Sequence, residues 1–167
     1  MKTLILIRHA KSSWDAPGMS DSERPLNDRG KKDAPEMAKR LRKRGLNIDA
    51  FVSSPAERAF RTARYFAKEF DEKKDGIIVE KALYGATPEE FAQVIASLKE
   101  KFETVALFSH NPGITEYINT LCTVRTDNMP TCGIFAVQAA IDDWSSFARA
   151  EKSFLFYDYP KNPLAAL

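Results

Sequence analysis

Two cysteines and two histidines in 167 residues leave little for metal or redox chemistry. Cys122 and Cys132 stand ten apart, with no CxxC and no matching histidine pair, which excludes the usual zinc spacings and a disulfide framework and fits a reducing cytoplasm. An excess of one charge is also missing. Lys and Arg number 25 against 23 Asp and Glu, a net charge of +2, so no overall field argues for nucleic acid or for an anionic membrane surface as partner. The N-terminal apolar run, Leu4 to Ile7, ends at Arg8 and is too short for a signal peptide or a membrane span. No Walker-type glycine loop, HExxH, GxSxG or acidic pair with metal-ligand spacing occurs, and there is no internal repeat or low-complexity tract. What is present is 44% hydrophobic residues in a chain the length of one domain, enough for a core. A single domain over 1–167 is expected, with a loosely held tail at 160–167.

The stretch TLILIRHA at 3–10 changes character abruptly at Arg8. Four aliphatic residues suit a central parallel strand covered on both faces, and ligands in open α/β sheets gather at the carboxyl ends of such strands. Arg8 and His9 would stand there. The pattern returns at 104–108, TVALF, which runs into Ser109-His110-Asn111-Pro112-Gly113. Both histidines of the chain therefore follow apolar strands. Asn111 as N-cap and Pro112 at the first helical position would set His110 beside the free amides of a helix.

Between these strands lies a polar loop from Lys11 to Asn27, carrying Trp14, Asp15, Asp21, Glu23 and Arg24; a loop this long in a small domain is functional or mobile as a rule. A helix is predicted from Asp28 to Arg44, with Ala34, Met37, Ala38 and Leu41 inward. Pro35 should bend it or delay its start, and the cations Lys39, Arg40, Arg42, Lys43 and Arg44 read as a solvated face. A strand at 50–53 leads into Ser54-Pro55-Ala56-Glu57, which has the form of a capping box. The helix after it packs through Ala59, Phe60, Ala63, Phe66, Ala67 and Phe70. Arg58 falls in its first turn, where the helix dipole prefers an anion; a bound anion beside Arg58 would remove that conflict. A short strand at 77–79, a turn at Leu83-Tyr84-Gly85, a helix from Pro88 to about Lys101 capped by Thr87, a helix with Ile114, Tyr117, Ile118 and Leu121 inward, and strands at 133–139 and 153–157 complete the chain. The alternation of strands and helices reads as an α/β fold with a mostly parallel sheet.

Arg8, His9, Arg58 and His110 are thereby brought to strand ends. Two guanidiniums, two imidazoles and a helix N-terminus make a pocket for a doubly charged anion, with phosphate its natural occupant. A nucleophile in such a pocket would be a histidine.

RHA at 8–10, SSPAERAFRTA at 53–63 and SHNPG at 109–113, in that order, resemble the histidine phosphatase superfamily, in its phosphoglycerate mutase-like branch. RHAKSSWD at 8–15 and RPLNDRG at 24–30 make the short SixA-like phosphohistidine phosphatases the most similar subgroup. The resemblance implies a three-layer α/β/α sandwich around a mostly parallel central sheet. It implies His9 as the nucleophile that takes the phosphoryl group, Arg8 and Arg58 on the phosphoryl oxygens, and His110 completing the pocket with Asn111 among the substrate-binding residues. No cofactor and no metal are implied. Three nearby cationic or potentially cationic groups are expected to hold the His9 pKa below about 6.5, so that the attacking imidazole is neutral.

The chain departs from the family pattern in three places. Ala10 stands where Arg-His-Gly is usual, and Asp15 where mutase relatives carry an Asn that helps hold phosphate. The Glu that relatives acting on alkyl phosphates place shortly before Tyr-Gly has no clear match before Tyr84-Gly85; Glu80, Glu89 and Glu90 are the general acid candidates. An alkoxide needs a proton to leave, whereas imidazole leaves a phosphoramidate without a strong dedicated acid. The expected function is therefore a metal-independent phosphatase acting on phosphohistidine in a protein or on a small activated phosphate. A general phosphomonoesterase of the same fold and a catalytically silent phosphate-binding module are the alternatives.

Overall fold

A computed structural model describes residues 1–14 and 17–166. Six strands form one sheet in the order β3-β2-β4-β1-β5-β6: β1 (Lys2–Arg8), β2 (Ala50–Ser53), β3 (Ile77–Val79), β4 (Thr104–Ser109), β5 (Ile134–Ala139) and β6 (Lys152–Asp158). The first four are parallel; β5 runs antiparallel beside β1, and β6 antiparallel beside β5. Helices α1 (Asp28–Arg42), α2 (Glu57–Glu69), α3 (Pro88–Ala96) and α4 (Gly113–Ile118) supply the outer layers.

The period of two along a strand sorts the core into its two halves. In β1, Ile5 and Ile7 meet Met37 and Leu41 of α1 and Ala63 and Phe66 of α2. Leu4 and Leu6 face the other way, onto Phe91 and Ile95 of α3 and Ile114 and Ile118 of α4. All four aliphatic residues are fully buried, as an uninterrupted apolar run demands of a strand covered on both sides. The result is the three-layer α/β/α arrangement around a mostly parallel sheet.

Several local expectations change. Helix α1 starts at Asp28, capped by the Asn27 side chain accepting from Gly30 N–H at 2.9 Å, so Pro35 lies inside the helix and does not delay it. Helix α2 begins at Glu57 with Ala56 as its cap, a residue whose methyl group can accept no cap bond, while the Ser54 hydroxyl accepts from Ala56 N–H and meets His110. Helix α3 keeps its Thr87–Glu90 capping box but ends at Ala96. The cations of α1 are not all a solvated face: Arg40 donates to the Tyr159 and Pro160 carbonyls and pairs with buried Asp158, which ties the start of the C-terminal tail to the helix. Among the described residues, no helix is long and apolar enough to cross a membrane.

The loop after β1 is fastened at its base. Ser12 bridges Leu26, Ser13 N–H donates to Pro25 O at 2.9 Å, and Asn27 N–H to Lys11 O at 3.0 Å. That same Lys11 carbonyl lies against Gly30, where an added Cβ would come within 2.1 Å of its oxygen. Helix propensity alone favours alanine over glycine by ~1 kcal/mol, and overpacking against backbone costs about 1–3 kcal/mol. Gly30→Ala should therefore lower stability despite its better propensity, and urea unfolding gives the sign directly; a gain in stability would show that the loop base yields freely.

Candidate functional site

Strand β1 delivers Arg8 and His9 at its carboxyl end, and β4, its parallel neighbour, delivers His110. Helix α2 points its N-terminal turn at the same edge of the sheet and carries Arg58 there. His9, Arg58 and His110 are buried. The two imidazole rings lie 5.1 Å apart, centroid to centroid, and the Tyr84 ring meets His110 edge-on at 5.5 Å.

The backbone sets the state of each ring. His9 Nδ1 lies 2.8 Å from the Ala10 carbonyl, which can only accept, so Nδ1 carries the proton and Nε2 keeps its lone pair. His110 Nε2 lies 2.7 Å from Ser54 Oγ, and that oxygen already accepts from Ala56 N–H. The pairing that also uses the hydroxyl proton directs it to His110 Nε2 and assigns the imidazole proton to Nδ1. His110 Nδ1 is buried without a partner, as are Arg8 Nε and Arg58 Nε. Three buried donors without protein partners in one small volume are costly unless water or a ligand takes them.

Burial is the first cause that holds His9 down at about 3, with His110, Arg58 and Arg8 adding repulsion while the Ala10 carbonyl opposes it. The expected direction is found, but desolvation outweighs the neighbouring cations. Burial and then Arg58 hold His110 at about 4. Arg8 is lowered by burial and by Arg58, and one of its Nη atoms donates to Met129 O at 2.8 Å.

Arg58 does not wait for an external anion to settle its place at a helix N-terminus. Its guanidinium donates to the Asp21 carbonyl at 2.7 Å and to the Asp21 carboxylate at 3.0 Å. Asp21 also accepts from Tyr84 and Arg24. The Tyr84 hydrogen bond, then those of Arg24 and Arg58, hold the Asp21 carboxyl well below the usual carboxylate range; the same bond raises Tyr84.

Other predicted residues stand apart from this cluster. Asn111 is not a helix cap: Pro112 precedes α4, and the Ile114 amide donates to the His110 carbonyl. The Asn111 side chain donates to Asn128 and to the Met129 carbonyl and accepts from Thr115, which commits it to holding the segment that receives Arg8. Glu80 accepts from Ala82 N–H and Glu90 closes the Thr87 capping box, while Glu89 lines a cavity with Tyr117 and Leu121. None of the three has a hydrogen bond or ion pair to Arg8, His9, Arg58 or His110. Trp14 is 76% exposed and stacks on Arg24 at 3.2 Å, so it fixes the loop base from outside. Asp15 lies outside the described residues. Among the described residues, no group of three or more His, Cys, Asp or Glu could hold a metal ion.

Asp21, Ser54, Thr62, Tyr84 and the Met129 carbonyl are parts of the site that residue patterns did not single out. Thr62 was the most findable, as a polar residue between the buried Ala59 and Ala63. Its hydroxyl accepts from Ala10 N–H at 2.9 Å and donates to Arg58 O at 2.7 Å.

The site and sheet define an α/β domain with an anion pocket at a strand edge. The model of the histidine phosphatase superfamily (branch 1) matches residues 4–84, and over that stretch the chain is similar to the superfamily. A solved structure of the protein histidine phosphatase SixA, complexed with tungstate, is similar in fold, with a TM-score of 0.78 at 24% identity over 95% of this chain and 97% of that one. An uncharacterized chloroplastic protein of Arabidopsis thaliana is 28% identical over 86% of this chain and 69% of its own length. The 2,3-bisphosphoglycerate-dependent phosphoglycerate mutase of Thermoplasma acidophilum is 39% identical over 74 residues, 42% of this chain and 36% of the mutase. The chain thus matches little more than a third of that mutase's length.

Both imidazoles return to about 6.5 on unfolding. Between that pH and about 4 the unfolded chain binds protons that the folded chain does not, so the stability from the two buried neutral rings is complete above pH 6.5 and is lost as the pH falls. At about pH 5 the loss is ~2 kcal/mol per histidine. Urea unfolding at neutral and mildly acidic pH should show this decline, and His110→Gln should reduce it by one histidine's share. An identical decline in His110→Gln would contradict a buried neutral His110.

Proposed function

We propose that the chain is a phosphatase that works through a phosphohistidine at His9 without a metal ion, hydrolysing phosphohistidine in proteins or a small activated phosphate. One observation carries the reading: three buried donors without partners, from Arg8, Arg58 and His110, surround a neutral imidazole whose free lone pair is set by a backbone carbonyl.

In this account the phosphoryl group enters with its oxygens on the two guanidiniums and on His110 Nδ1. His9 Nε2 attacks phosphorus; the new N–P bond forms as the bond to the leaving group breaks. Loose phosphoryl transfer needs position and charge stabilisation on the equatorial oxygens more than covalent assistance, and rigid bidentate forks meet that need. Water then attacks phosphorus from the side the leaving group vacated. Phosphate departs, and the lone pair returns to Nε2. Covalent capture divides one difficult displacement into two.

The capping roles of Glu80 and Glu90 and the separate cavity that Glu89 lines leave none of these three candidates placed to protonate an alkoxide. That favours leaving groups that depart without a strong acid, imidazole above all. The cavity of about 580 Å³ lined by Met19, Pro25, Pro55 and Tyr84 together with Ser22, Glu23 and Glu57 leaves room for a side chain carried on a folded protein.

A phosphoramidate should be turned over at an undiminished rate in excess chelator, and His9→Ala should lower that rate by about a thousandfold or more. Retained activity in His9→Ala would defeat the mechanism. A panel of alkyl phosphates should be hydrolysed far more slowly than phosphoramidates; comparable rates would make the chain a general phosphomonoesterase.

A further inference from the structure

The two terminal nitrogens of Arg58 already have partners, and its Nε alone is open. Arg58 is 7% exposed at its side chain, and the carboxylate on it comes from Asp21, which is 46% exposed and belongs to the loop after β1. Both terminal nitrogens of the guanidinium are taken, one by the Asp21 carbonyl and one by the carboxylate. Tyr84 donates to the same carboxylate oxygen and Arg24 to the other. The carboxylate thus receives a guanidinium, a phenol and a second guanidinium, the donor set that suits an oxyanion.

The part of the loop that carries it is held chiefly through Asp21 itself. Asp21 to Glu23 form one 3₁₀ turn with no buried residue, whereas the loop base is fixed by the Ser12–Leu26 bridge and by Arg24 on Ser12 and Ser13. Beside the turn lies the cavity whose wall holds Met19, Pro25, Pro55 and Tyr84 and also the carboxylates of Glu23 and Glu57, which gives it space to shift. A phosphoryl dianion and a carboxylate cannot share the two terminal nitrogens of one buried arginine without strong like-charge repulsion.

Building on the phosphate pocket described under Proposed function, we propose that Asp21 is an internal competitor of the substrate: an anion within the chain that occupies the terminal nitrogens of Arg58 in the resting site and must be displaced from them by the incoming phosphoryl group. Free inorganic phosphate has only the pocket with which to displace it. A phosphorylated side chain has in addition the apolar wall of Met19, Pro25, Pro55 and Tyr84. Asp21 therefore sets a threshold common to every phosphoryl ligand, which a phosphoryl group attached to a larger body meets with the help of those wall residues and free phosphate, the reaction's own product, meets without them. When the turn moves aside, Arg58 gains the phosphoryl oxygens and Tyr84 loses its carboxylate partner.

The test is calorimetric titration of inorganic phosphate into the full chain and its variants. Asp21→Asn keeps the shape and removes the charge; it should bind phosphate about tenfold more tightly than the unaltered chain, and KM for a phosphoramidate should fall in parallel. Tyr84→Phe removes one donor from Asp21 and should tighten phosphate binding by a smaller factor, which keeps the question decidable if Asp21→Asn does not fold. Phosphate binding unchanged or weakened in Asp21→Asn, or a collapse of kcat at constant KM, would overturn the proposal and make Asp21 a group needed in the transition state. Binding that is lost in Arg8→Ala yet unaltered in Asp21→Asn would sink this inference and leave the pocket standing. Absence of phosphate binding in every form would overturn both.

Discussion

The hydrogen bond from His9 Nδ1 to the carbonyl of Ala10 is the constraint on which the rest of the site depends. It selects one tautomer and points the lone pair of Nε2 away from the backbone, and it can do so only if residues 8–10 are immobile. Neighbouring elements supply that immobility. The Ala10 amide is held by Thr62, whose hydroxyl in turn holds the Arg58 carbonyl, so the His9–Ala10 backbone and Arg58 share one hydrogen-bonded chain. From the other side the Cys132 amide donates to the carbonyls of both Arg8 and His9. Cys132 does so at a φ of 60°, a conformation that costs a non-glycine residue ~1–2 kcal/mol. A buried cysteine that reads from sequence as an ordinary small hydrophobe thus contributes through its backbone.

Electrostatics follow from this rigidity. Burial lowers both imidazoles more than the nearby guanidiniums do, so their neutrality does not rest on repulsion from cations alone. The distinction matters for the proposed reaction, in which a phosphoryl group brings two negative charges into the pocket at the moment the lone pair is needed.

Much of the fold was legible because its signals are local. The aliphatic run of β1, the similar run of β4 and the one-sided stripes of α1 and α2 each report burial on a known period, and the observed element borders differ from expectation by few residues. Where reading failed, one polar side chain had two possible partners. Ser54 has the form of a helix cap, yet its hydroxyl goes to His110, a residue 56 positions away. Asn111 has the same form, yet its amide braces Asn128 and Met129. Asp21 was one charge among several in a polar loop, and only the folding of that loop over α2 makes it the partner of Arg58. Long-range competition of this kind is not encoded in spacing, whereas the four residues that strands and a helix deliver to the sheet edge, Arg8, His9, Arg58 and His110, are.

The account stands or falls on where phosphorus is bonded during turnover. The most direct measurement is rapid acid-free quenching of the chain with a phosphorus-labelled phosphoramidate, followed by peptide mass spectrometry. The account predicts a transient adduct of one phosphoryl group on His9, stable to alkali and labile to acid, formed and lost at rates consistent with turnover. Turnover without any adduct, or an adduct on a residue other than His9, would contradict it.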